Sequence, residues 1–137
     1  MPHLIRLRGP WTYELSEAEQ VQRGEISLPA IWSAFVPADS HGSVTLVRRF
    51  GRPTGLEQAP SVWLVVDAGE LPGTVFLNGE RLGEIAPSSQ TARGDVLSRL
   101  LPRNELRLEF PELPHGPMIT SKSCPDVWLE IESQEGS

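Results

Sequence analysis

Apolar and polar residues alternate along this chain in short runs, each closed by glycine or proline before a helical period can establish itself. His3 to Arg8 sets Leu4, Arg6 and Arg8 against Ile5 and Leu7, and after Gly9-Pro10 the aromatic pair Trp11 and Tyr13 shares one face of a second extended segment. Ser43 to Phe50 opposes Val44 and Leu46 to Thr45 and Val47. Asn104 to Phe110 opposes Leu106, Leu108 and Phe110 to Arg107 and Glu109, and Asp126 to Ser133 opposes Val127, Leu129 and Ile131 to Trp128, Glu130 and Glu132. This period of two is that of strands with one face on a core. Ser61 to Asp67 is apolar on both faces, which predicts a strand covered on both sides or lying centrally in a sandwich.

The sharpest local signal is Gly73 to Ile85, where Asn78-Gly79 supplies the two residues of a type I′ turn, both of which need positive φ. That turn predicts pairing of Leu77 with Glu80, Phe76 with Arg81 and Val75 with Leu82, leaving Phe76 and Arg81 on the face opposite Val75 and Leu82. Glu25 to Ala30 predicts a short strand before Pro29, and Gln90 to Leu97 a strand ending at Asp95. Ser98 to Leu101 predicts one helical turn closed by Pro102. Ser16 to Gln22 opens like a capping box, Ser16 with Glu19, and is compatible with one or two helical turns, a polar loop or an irregular strand. Pro111 to Pro117 excludes regular structure, and 133–137 reads as a frayed tail. About eight to ten short strands, with turn signals about every 8–12 residues, predict an all-β fold. The expected architecture is a single-domain β-sandwich or jelly roll over residues 1–137, with at most one or two short helical turns.

Composition narrows the functional classes. With 137 residues the chain is long enough to bury a core without staples, and Cys124, its single cysteine, has no internal partner, so nothing calls for an oxidising compartment. A formal charge of −6 argues against nucleic acid as partner. Arg48, Arg49 and Arg52 cluster, which reads as a solvated strand end. The first residues, Met1 to Arg8, lack the apolar core of a secretory signal, and the longest apolar run, Val62 to Val66, is too short to cross a bilayer. The expectation is a cytoplasmic protein with no membrane partner.

Catalytic chemistry finds little purchase. The acidic residues stand mostly at outward strand positions such as Glu109, Glu130 and Glu132, so no carboxylate pair at glycosidase spacing stands out. His3, His41 and His115 lie in unrelated segments, no Gly-x-Ser-x-Gly elbow occurs, and zinc would need clustered His and Cys ligands. Asp39, Asp67 and Asp126 could offer oxygens to a structural Ca²⁺, but without a multi-acid loop no metal or cofactor is indicated. Recognition of a carbohydrate needs an aromatic plate for the apolar face of a sugar, with polar groups beside it. Trp11 and Trp63 read as core. Trp32, in a loop between Pro29 and Pro37, and Trp128, on the polar face of the last strand, are the candidate plates, the alternative for Trp128 being cover by Pro111 to Pro117. The candidate binding residues are therefore Trp32, Trp128, His41 and Arg49.

The order of these pieces resembles the N-terminal sugar-binding domain of family-2 glycoside hydrolases, the β-galactosidase, β-glucuronidase and β-mannosidase group. The matching positions are Gly9 and Trp11, Leu28-Pro29-Ala30 with Trp32, and Arg49-Phe50. They continue with Val75 to Gly79, Leu82-Gly83, Asp95-Val96, Leu100, Asn104 and Leu106. The resemblance runs from about Leu4 to Ile131 and implies a galactose-binding-like jelly roll in which Asp95 and Asn104 serve turns. It also implies a module standing alone, without the barrel that carries the family's catalytic carboxylates. The function expected is a non-catalytic carbohydrate-binding-like module. The alternative is a protein-interaction or scaffolding domain that kept the fold without a sugar site, acting through a homodimer or another subunit.

Overall fold

A computed structural model describes residues 3–17, 19–30, 36, 42–67, 72–85, 91–112 and 126–132. Among the described residues, ten strands run in order: β1 (His3–Arg6), β2 (Trp11–Glu17), β3 (Gln20–Ile26), β4 (Ser43–Gly51), β5 (Val62–Asp67), β6 (Gly73–Leu77), β7 (Glu80–Ile85), β8 (Thr91–Asp95), β9 (Arg103–Phe110) and β10 (Asp126–Ile131). A 3-10 turn, Leu97–Arg99, follows β8. All pairings are antiparallel. One sheet has four strands in the order β1-β10-β5-β8, and the other has six in the order β3-β2-β4-β9-β6-β7. The expected all-β sandwich is what forms, and β5 lies inside its sheet between β10 and β8, as its two-sided apolar pattern requires.

The core lies between the sheets and takes the residues that the alternation marks. Leu46, Leu106, Leu108 and Phe110 of the six-stranded sheet meet Val62, Leu64, Val66, Val127 and Leu129 of the other, all of them buried. Each such aliphatic side chain stabilises the fold by about 1.5–3 kcal/mol relative to leaving it in water. Trp11 is fully buried, and its indole N–H donates to the Leu7 carbonyl at 2.7 Å, so burial leaves no orphan donor.

Turns are held by the side chains the sequence marks for them. Asn78 and Gly79 both have positive φ, at 54° and 84°. Asp95 Oδ1 accepts from the Leu97 N–H at 3.0 Å and ends β8. Asn104, the buried polar residue at the start of β9, accepts from the Leu101 N–H at 2.8 Å and returns its amide to the Leu101 carbonyl at 2.9 Å. Asn78 Nδ2 donates to Asn104 Oδ1 at 3.0 Å, which joins the hairpin turn to this second turn.

Three local expectations change, and the segment left open between helical turns, a polar loop and an irregular strand resolves as strand. Ser16 to Gln22 contains no helical turn among its described residues: β2 continues to Glu17 and β3 begins at Gln20, because cross-strand pairing of Trp11 through Glu17 with Ile26 through Gln20 wins over the capping signal. In the β6–β7 hairpin, Leu77 pairs with Glu80 and Phe76 with Arg81, but Val75 faces Gly83. Leu82 is the extra residue of a β-bulge there, which turns it onto the core. The arginine cluster is solvated at Arg49 and not at Arg48, which pairs with Leu106 on the core side of β4. Burial pushes the Arg48 guanidinium below the ordinary arginine range, and its Nε is buried without a hydrogen-bond partner. Trp63, expected in the core, is half-buried on the outer side of β5. No helix of the described residues is long and apolar enough to cross a membrane.

Candidate functional site

The outer face of the four-stranded sheet follows from strand parity. With Val62, Leu64 and Val66 of β5 and Val127 and Leu129 of β10 committed to the core, Trp63, Val65, Asp126, Trp128 and Glu130 must point away from it. Antiparallel register places Arg6, Trp128, Val65 and Arg93 in one row across β1, β10, β5 and β8. Leu4, Glu130, Trp63 and Asp95 form the next row. Trp63 and Trp128 are thus diagonal neighbours on adjacent strands, a relation that sets residues about 7–8 Å apart, within reach of two indoles.

The polar edges of both rings are tied down. Trp128 Nε1 donates to Glu130 Oε2 at 3.0 Å, and Trp63 Nε1 donates to Glu132 Oε1 at 3.2 Å. Glu130 Oε1 accepts from Arg93 Nη2 at 3.2 Å, and the same guanidinium lies 4.2 Å from the centre of the Trp63 ring. Arg93 therefore couples the two tryptophans, bonded through Glu130 to one and stacked by cation–π attraction on the other. Val65 is the floor: although it points away from the core it is only 2% exposed. At one margin Arg6 Nη1 meets Asp126 Oδ2 at 3.0 Å. The result is a pair of half-buried tryptophans whose indole N–H groups are held by carboxylates, bordered by the Arg6–Asp126 ion pair.

Such a surface can stack on the apolar face of a ring-shaped polar ligand and bond its hydroxyls through Arg93, Glu130 and Arg6. Its carboxylates are engaged with arginine or indole donors, an arrangement suited to holding a ligand.

Of the residues expected from sequence, Trp128 is on this face. Trp32 and His41 lie outside the described residues, as do Asp39 and His115. Arg49 is on the outer face of the other sheet, its side chain 85% exposed and 3.6 Å from Glu105, so it does not share a site with Trp128. Asp67 and Asp126 face one another across β5 and β10. Among the described residues, no group of three or more His, Cys, Asp or Glu side chains is arranged to hold a metal ion. Trp63 and Arg93 are the additions the structure makes. The parity of β5 carries the signal for Trp63, while Arg93 becomes legible only through the pairing of β8 with β5.

No protein-family model matches this chain, and no curated protein matches it. Solved structures do. The β-glucuronidase of Ruminococcus gnavus superposes with a TM-score of 0.72 at 15% identity, covering 97% of this chain and 28% of that one. The same enzyme in complex with D-glucuronic acid gives a TM-score of 0.70 at 15% identity, over 97% of this chain and 30% of that one. Its apo form gives 0.70 at 15% identity, over 97% and 29%. At this identity the likeness establishes the fold, a β-sandwich of the kind borne by a glycosidase. The chain spans less than a third of the length of the enzymes it matches.

Proposed function

We propose that this chain is a non-catalytic carbohydrate-binding module, like the sugar-binding domain of family-2 glycosidases, and that Trp128 and Trp63 form its stacking surface. The carrying observation is the linked set Trp128–Glu130–Arg93–Trp63 on one sheet face, in which Glu130 and Arg93 bond each other and each engages an indole. A fold shared with part of a β-glucuronidase supports the reading without supplying a ligand. The reading includes no metal or cofactor, and it places the protein in the cytoplasm, where a lone cysteine needs no oxidised partner.

The test is binding to a neutral and acidic glycan panel by affinity gel electrophoresis, with near-ultraviolet circular dichroism to establish folding of each variant. Trp128→Ala and Trp63→Ala should each weaken binding by about tenfold or more, as truncation of a central aromatic does. Absence of binding by the wild-type chain to every glycan of the panel would sink the proposal. The rival reading, a protein-interaction domain acting through a homodimer or another subunit, has its own support: tryptophan and arginine are the residues that dominate interfaces, and Leu4, in the row beside Glu130, is 50% exposed. A concentration-dependent sedimentation coefficient lost in Trp128→Ala would favour it.

A further inference from the structure

The six-stranded sheet carries a second candidate surface, far from the tryptophans in register and opposite in chemistry. At the end of β4 and the start of β9, Arg49 pairs with Glu105 and Gly51 with Arg103, so these four residues occupy neighbouring places on the outward face. Gly51 supplies no side chain, and a Cβ built there would meet only the Pro102 carbonyl oxygen, at 3.8 Å. The missing side chain leaves a notch between the two arginines. A concavity of about 620 Å³ opens here, lined by Arg49, Gly51, Pro102, Arg103 and Glu105, with Asn78 and Asn104 also on its lining and the Phe50 side chain turned toward the core.

The arginines have donors to spare. Arg49 Nε stands 3.6 Å from Glu105 Oε2, beyond hydrogen-bond distance. Arg107, the next outward residue of β9, stands 3.8 Å from the other oxygen of the same carboxylate. Glu105 is thus shared at long range between two guanidiniums and saturates neither. The Arg103 side chain makes no ion pair or hydrogen bond among the described residues. Asn78, by contrast, is fully engaged by the turns: its Oδ1 accepts from the Glu105 N–H at 2.8 Å and its Nδ2 donates to Asn104. The turn at the margin is therefore fixed, and the unsatisfied groups of the notch are cationic, on a chain whose formal charge is −6.

We propose that this notch is a binding site for a small carboxylate-bearing ligand, gripped between Arg49 and Arg103 with its apolar part against Pro102. A guanidinium fork matches a carboxylate in two parallel hydrogen bonds, and the volume suits a ligand of about one or two sugar rings. Glu105 opposes the binding of a bare, compact anion, so the ligand must bring apolar or hydroxyl contacts beside its charge. The site is independent of the tryptophan surface.

The probe is D-galacturonate, titrated into the full chain and followed by the arginine Nε–Hε and Gly51 amide resonances of isotopically labelled protein. Neutral D-galactose and inorganic phosphate are the comparison ligands. Saturable shifts with galacturonate at millimolar concentration are expected. They should weaken by about tenfold or more in Arg49→Gln and Arg103→Gln, and equally in Gly51→Leu, which fills the notch without removing a charge. The Gly51 backbone does not require a positive φ, so that variant is expected to fold with unchanged circular dichroism. Trp128→Ala should bind the probe as the wild type does, which separates failure of this site from failure of the carbohydrate reading. Equal affinity for phosphate, binding undiminished in Gly51→Leu, or no saturable shift at all would each overturn the proposal.

Discussion

Asn104 concentrates more of the fold's polar accounting than any other described side chain. It is 2% exposed, and its amide takes the Leu101 N–H and Asn78 Nδ2 on one atom and gives to the Leu101 and Phe50 carbonyls from the other, the last at 3.4 Å. Alanine there would remove the side-chain partners of the Leu101 N–H and carbonyl from a residue that is itself buried, so the expected cost is about 1–3 kcal/mol. Urea denaturation of Asn104→Ala checks it: the midpoint should fall with the slope unchanged, and a loss below about 0.5 kcal/mol would mean that water reaches the turn. The turn role of Asn104 is legible in the sequence because an asparagine before a clean alternating run has few other reasons to be there. The core-side position of Arg48 is not. Two consecutive arginines in a strand must point to opposite faces, yet the eye groups them by charge, and only the pairing of Arg48 with Leu106 reveals which one pays desolvation.

Strands that bury one face announce themselves, and those that bury neither do not. β9 and β10 alternate cleanly because Leu106, Leu108, Val127 and Leu129 have a core to fill. β3 is an edge strand exposed along most of its length, so Gln20 to Ile26 carries no alternation, and the hairpin with β2 hides behind a capping-box sequence. The tryptophan surface shows the same limit. Trp128 is identifiable from the parity of β10, whereas Trp63 hides in a strand apolar on both sides, and the notch at Gly51 exists only once β4 and β9 are in register. The β2–β3 hairpin also carries a contact that no pattern displays: the Tyr13 ring lies over Gly24, where an added Cβ would clash with the phenol. Gly24→Ala must therefore displace the ring, and a loss of about 1–2 kcal/mol is expected. Gly94→Ala is the control, since a Cβ there meets nothing within 4 Å, and thermal denaturation should find it neutral or slightly stabilised. Equal effects at the two positions would show that strand propensity, and not the Tyr13 contact, decides the cost.

At the scale of the molecule, the two sheets share one continuous cluster of buried side chains. The first and last strands are partners, with His3 through Arg6 registered on Ile131 through Trp128, so the four-stranded sheet cannot complete itself until both distant ends of the fold meet. The six-stranded sheet depends on it in turn, because Leu46, Leu106, Leu108 and Phe110 are buried by residues of β5 and β10. We therefore propose that the chain unfolds as a single cooperative domain. Leu108→Ala in β9 and Leu129→Ala in β10 lie in opposite sheets, and each should cost about 2–5 kcal/mol. If the sheets are one unit, each substitution lowers the midpoint of the same transition, and calorimetric and van't Hoff enthalpies agree in both variants. A transition that splits in two, with Leu108→Ala moving one half and Leu129→Ala the other, would instead show sheets that fold separately. In that case the tryptophan face and the arginine notch would sit on independently stable units, and ligand at one would leave the melting of the other unchanged. Under the single-domain reading, binding at either surface raises the common midpoint by mass action.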